Sequence, residues 1–155
     1  MPEWRWLLWY YGRALELPFP VLLALCYGET LEQVTSSPGR IEVLLNGKRH
    51  CRYGPAVIVI DGLSTTRLWW LNGILHRDDG PACEWADGSR WWYRNGLRHR
   101  QGGPACEEAD GRKEWYVNDR LHRVGGPAVE YADGTVEYWH HGVRSETAQN
   151  SLPST

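Results

Sequence analysis

The sequence is poor in the features that ordinarily give a function away. Its 155 residues hold no Ser-His-Asp arrangement, no paired-cysteine zinc spacing and no phosphate-cradling glycine loop, so the common catalytic signatures are missing. Neither sign of charge is in excess. A net charge of −2 argues against a dedicated binder of the DNA backbone, which would carry a strong positive balance. Long apolar runs are missing too: the longest, Phe19 to Cys26, is interrupted by Pro20 and is too short to cross a bilayer. The start, Met1 to Tyr11, is aromatic but includes Glu3 and Arg5 and offers no small-residue cleavage site, so no signal peptide is expected. These absences lead to the expectation of a soluble, intracellular protein with no membrane partner. Phenylalanine and methionine occur once each, against ten tryptophans and eight tyrosines. Such a bias suits a buried core or an interface, since both use large amphipathic rings.

What is present is a rhythm. Asn72-Gly73, Asn95-Gly96, Asn118-Asp119 and His141-Gly142 follow one another at 23 residues. Gly80-Pro81-Ala82, Gly103-Pro104-Ala105 and Gly126-Pro127-Ala128 keep that step, as do Asp87-Gly88, Asp110-Gly111 and Asp133-Gly134. Self-similarity at this period marks a stacked repeat array. Within a unit, Asn-Gly between alternating aromatic segments predicts a tight hairpin, because both residues tolerate positive φ. Gly-Pro then interrupts the ladder, since proline has no N–H to donate, and Asp-Gly supplies a second turn. The expected fold is all-β: an elongated antiparallel meander of hairpin repeats. An earlier unit at Ile41 to Gly62 carries three extra residues before Asn72, expected as a longer turn near Ser64-Thr65-Thr66. Residues 1–40 read either as a degenerate capping repeat or as containing a short helix over Val21 to Val34, and 146–155 as a frayed tail.

Two columns are aromatic. Trp69, Trp92, Trp115 and Tyr138 stand three residues before the turn, and Trp70, Tyr93, Tyr116 and Trp139 stand two before it. Neighbours in a strand face opposite ways, so both faces of the sheet should carry a ladder. One can form the array's own core. The other needs a cover: the N-terminal segment (Trp4, Trp6, Leu7, Leu8, Trp9, Leu22, Leu23), a second copy of the chain, or a partner.

A basic column runs beside them: His76-Arg77, His99-Arg100 and His122-Arg123, with Arg49, Arg98 and Arg144 in a neighbouring slot. Such a stripe could hold an anion. However, Glu84, Glu107 and Glu130 recur at the same period, so the charges can pair across strands. One histidine per unit reads as part of the repeat's geometry rather than as a catalyst or a metal ligand. Cys83 and Cys106 share a slot with Val57 and Val129, the signature of a small buried apolar side chain. Equivalent positions two strands apart lie about 9–10 Å from each other, too far for a disulfide or a shared zinc ion.

The unit Trp-x-x-Asn-Gly-x-x-His, its 23-residue period and its closing Asp-Gly resemble the MORN (membrane occupation and recognition nexus) repeat, most fully in Asn46-Gly47-Lys48-Arg49-His50. The resemblance covers roughly residues 41–145. It departs in a regular way: Arg77, Arg100 and Arg123 replace the glycine that follows the histidine, and Gly-Pro-Ala is added. That His-Arg-x-x-Gly-Pro-Ala form is similar to variant arrays of giant DNA viruses and some phages and bacteria. The resemblance implies a twisted single-layer sheet that serves as a scaffold for protein binding or self-association, with no catalytic residue and no cofactor to carry over.

The resulting expectation is a non-enzymatic protein-binding module. By analogy with those arrays it is a viral or phage accessory protein that engages a host factor in the host cytoplasm. Contact is expected through the exposed one of the two ladders, Trp69, Trp92, Trp115 and Tyr138 or Trp70, Tyr93, Tyr116 and Trp139, with Arg77, Arg100 and Arg123 at the rim setting orientation and on-rate. The alternatives are a self-associating or homodimeric scaffold such as a minor virion component, a small-ligand or nucleotide-binding protein, and a single-stranded nucleic-acid binder, which the net charge disfavours.

Overall fold

The computed structural model describes residues 33–52 and 54–146, which form strands and turns without a helix. The chain divides into two compact units, with the boundary between Ile74 and Leu75. In the first, β1 (Gln33–Ser37), β2 (Arg40–Leu45), β4 (Val57–Asp61) and β5 (Ser64–Leu68) form an antiparallel sheet in the order β1-β2-β4-β5. Between them, β3 (Lys48–Arg49) folds back on β2 at Asn46-Gly47. After β5 come β6 (Trp70–Leu71) and, at the boundary, β7 (Ile74–Leu75). Ile41, Val43, Cys51, Ala56 and Ile58 form the core, with Trp70 packed against it.

Two expectations change here. The three extra residues do not make a longer turn. Ser64, Thr65 and Thr66 lie inside β5, where they pair with Asp61, Ile60 and Val59; the surplus goes into strand length because both strands gain ladder bonds. The suggested helix over Val21 to Val34 fails at its end, since Gln33 and Val34 are in β1. The rest of that helix, the Trp4 to Leu23 cover and residues 147–155 lie outside the described residues. Ser145, the last residue before the expected tail, is in a strand.

The second unit repeats one pattern. Its strands are β8 (Cys83–Glu84), β9 (Arg90–Trp91), β10 (Tyr93–Arg94), β11 (Leu97–Arg98), β12 (Cys106–Glu107), β13 (Lys113–Glu114), β14 (Tyr116–Val117), β15 (Arg120–Leu121), β16 (Val129–Glu130), β17 (Val136–His140) and β18 (Val143–Ser145). The main ladder runs β8-β9-β12-β13-β16-β17-β18, antiparallel throughout, while β10–β11 and β14–β15 are separate hairpins. Each repeat therefore builds two ladders from four short strands. The switch occurs at the tryptophan between them. The Trp92 N–H donates to Ala105 O in the main ladder at 2.8 Å, and its carbonyl accepts the His99 N–H at the hairpin, 3.1 Å away. Trp115 repeats this with Ala128 and His122, and Val43 does the same with Ala56 and His50 in the first unit.

Both turns follow from residue chemistry. Asn95 and Gly96 have φ of 51° and 80°, the doubly positive pair of a two-residue hairpin turn whose twist matches the strands. At the other turn Asp87, Asp110 and Asp133 each accept the N–H two residues on, at 2.8–2.9 Å, the side-chain turn that aspartate favours. Inside the unit, Ala82, Ala105, Ala128, Cys83, Cys106 and Val129 are all buried.

Candidate functional site

The recurring His-Arg-x-x-Gly-Pro-Ala segment is a cage around one guanidinium. Arg100 Cζ lies 3.8 Å from the Trp92 ring centroid, within cation–π range. Its Nη1 donates to Pro104 O at 3.1 Å and to Glu107 Oε1 at 2.8 Å. A Cβ on Gly103 would stand 3.0 Å from Arg100 Cζ, so a side chain there would force the guanidinium to give by a few tenths of an ångström. Arg123 repeats the arrangement with Trp115 (3.9 Å), Pro127, Glu130 and Gly126. Arg77 does so with Pro81, Glu84 and Gly80, and also bonds Asp79. The signature is thereby explained residue by residue. Glycine makes room, proline offers its carbonyl, and alanine fits the sealed position below.

The histidines join neighbouring repeats. His50 Nδ1 accepts the Asn72 N–H and His76 Nδ1 accepts the Asn95 N–H, each at 3.1 Å; His122 Nδ1 accepts the His141 N–H at 3.2 Å. His50 Nδ1 also lies 2.9 Å from the Asn72 side-chain oxygen, and His99 Nδ1 meets that of Asn118 at 3.0 Å. The ring thus holds the next hairpin turn. Burial, with His141 and His140 adding to it, holds the His122 imidazole below its ordinary pKa.

The anticipated contact residues divide by face. Trp70 and Tyr116 belong to the core: Trp70 joins the cluster of the first unit, and Tyr116 is buried with Ala105 and Cys106, flanked by Trp91 and Leu121. Burial pushes the Tyr93 hydroxyl up to about 12. Trp69 and Tyr138 are half-buried, and the Trp139 Nε1 donates to Glu137 at 2.8 Å. Trp92 and Trp115 form the other face, and their cover is the arginine of their own repeat. The arginines expected at the rim as steering charges are instead neutralised by glutamates in each cage. Arg98 is engaged likewise, with Asp119 Oδ1 at 2.6 Å and stacked over Tyr116 at 3.8 Å.

Beside each cage lies a shallow groove. One, of about 420 Å³, is lined by Arg77 to Gly80, Trp92, Arg94 and His99 to Gln101. The next, of about 520 Å³, is lined by the equivalents one repeat later: His99 to Gly103, Trp115, Val117 and His122 to Val124. Its lip residue Val124 is 55% exposed. Sequence reasoning overlooked this column (Asp78, Gln101, Val124) because its side chains differ and only the backbone repeats. It also overlooked Trp91, which packs edge-on to Trp85 at 5.5 Å and donates to Glu108, and His140; neither has an aromatic or histidine counterpart in the other units.

The cysteine reading agrees with the register. Cys83 and Cys106 pair with Trp91 from opposite sides, two strand spacings apart. Both thiols are free, and burial pushes each up to about 12, which leaves them as inert apolar fillers. No helix among the described residues is long and apolar enough to cross a membrane. No protein-family model matches the chain, and no curated protein shows significant similarity to it.

Proposed function

We propose that the chain is a non-enzymatic protein-binding module whose contact face is the one carrying Trp92 and Trp115. One observation supports this above all: the groove beside Trp92 recurs beside Trp115 with equivalent walls. Two like stations one repeat apart suit an extended polypeptide, which can place side chains in successive grooves. Indole edges and alkyl stems of arginine supply the apolar contact. The caged guanidiniums already have glutamate partners, so they offer less to the phosphates that an anion or nucleic-acid site would engage. The viral resemblance of the repeats would make the partner a host protein.

The test uses Gln101→Glu with Val124→Glu, both at exposed positions on the groove lips. Partner recovered on immobilised protein is returned to free solution, and the complex mass is measured by light-scattering chromatography. A defined complex with the parent chain, lost in the double variant at unchanged melting temperature, is the expected outcome. A complex that survives both substitutions places the contact elsewhere. A concentration-dependent dimer without a second protein would favour the self-associating scaffold.

A further inference from the structure

At its turn the last repeat departs from the others at two adjacent positions, and both hold histidine. His141 occupies the turn slot held by Asn46, Asn72, Asn95 and Asn118, and His140 the slot held by Leu71, Arg94 and Val117. They meet the column histidine His122. His122 and His141 stack with centroids 4.1 Å apart and planes 15° from parallel, and His140 lies edge-on to both, at 4.7 and 4.5 Å. One ring nitrogen from each of the three falls within 4.8 Å of the others. We infer that His122, His140 and His141 form a binding site for a divalent transition-metal ion, with Zn²⁺ as the ion of choice.

The chemistry favours this class. Three imidazoles without a carboxylate or thiolate suit borderline ions that prefer nitrogen, and do not suit Mg²⁺ or Ca²⁺. Nitrogens about 2.1 Å from a shared tetrahedral zinc stand about 3.4 Å apart, so the set closes by inward swings on the order of 1 Å together with rotation of His122 or His141 out of their near-parallel stack, because a ring lone pair lies in the ring plane. These are available: His141 is exposed and the other two are half-buried. A second observation comes from the backbone. His141 has φ of 50°, a left-handed conformation that asparagine accepts more readily. The chain keeps a histidine where every other turn of the series uses asparagine.

Coordination would take the place of a hydrogen bond. His122 Nδ1 accepts the His141 N–H, so the neutral ring carries its proton on Nε2 and the lone pair open to an ion is on Nδ1. The ion replaces that amide as the link between adjacent hairpins, and its remaining position takes water or a donor from a bound molecule.

The experiment is calorimetric titration of Zn²⁺ into the untagged full-length chain in chelator-free buffer, with a melting curve at each end point and an amide spectrum that follows His141. Expected are one ion per chain, a raised melting temperature and a shifted His141 amide. His141→Asn restores the residue of the other turns, and His140→Val copies the preceding repeat. Both should therefore fold as the parent does without metal, each weakening binding at least about tenfold and together abolishing it. An absence of saturable one-to-one binding, or equal affinity in the double variant, overturns the site.

Discussion

At Arg100 a stack on Trp92, a bond to the Pro104 carbonyl and an ion pair with Glu107 converge on one guanidinium. A lysine there keeps the charge but loses the planar fork and most of the stack. Arg100→Lys is expected to cost about 1–2 kcal/mol, discounted for a side chain about one-third exposed. Gly103→Ala should cost about 1 kcal/mol, because the new methyl displaces the same guanidinium. The two losses share a cause, so the double variant should fall well short of their sum. Urea denaturation of the four proteins tests this, and full additivity would mean that Gly103 serves some other purpose.

Among the elements, the Asn118-Asp119 hairpin breaks the Asn-Gly rule. Asp119 holds φ of 62°, which costs a non-glycine residue energy, but its carboxylate binds Arg98 Nε at 2.6 Å. Asp119→Gly should therefore be close to neutral, within about 0.5 kcal/mol. A stability curve that shifts by more in either direction would show one of the two terms dominating. Turns of this kind were legible in the sequence because their chemistry is local: Asn-Gly, Asp-Gly and the small slot of Cys83, Cys106 and Val129 declare themselves within a few residues. The ladder switch at Trp92 was not legible, since it depends on the destinations of an N–H and a carbonyl rather than on side-chain type. The site was half legible. Both aromatic columns were visible, but which one faces the core follows from strand register, and the cover of the other is an arginine eight residues along the same chain. The histidine link reaches 19 to 22 residues ahead, beyond any local pattern.

On the scale of the whole molecule, acid sensitivity collects contributions from many such sites. His122 resists protonation in the folded state, whereas an unfolded histidine takes a proton near pH 6.5. Protonation thus favours unfolding, and stability is lost as pH falls below about 6.5. The carboxylates act lower down. The Thr135 hydroxyl holds Asp133, the Ser89 N–H holds Asp87 and the Arg77 side chain holds Asp79 below the usual carboxylate range. Their contribution is whole above about pH 4 and disappears as pH falls through the folded values. The denaturation midpoint should stay level from about pH 8 to 6.5, decline gently below that, and drop steeply under about pH 4. His122→Gln should flatten the first decline and leave the second; an unchanged first decline would assign it to other groups. The histidine link has one more consequence. At Asn95 and His141 the ring accepts a backbone N–H, a grip that is blind to the side chain carried there. The tips of those two hairpins are thereby released from the duty of maintaining the array, and new chemistry can be written there one residue at a time without renegotiating the fold.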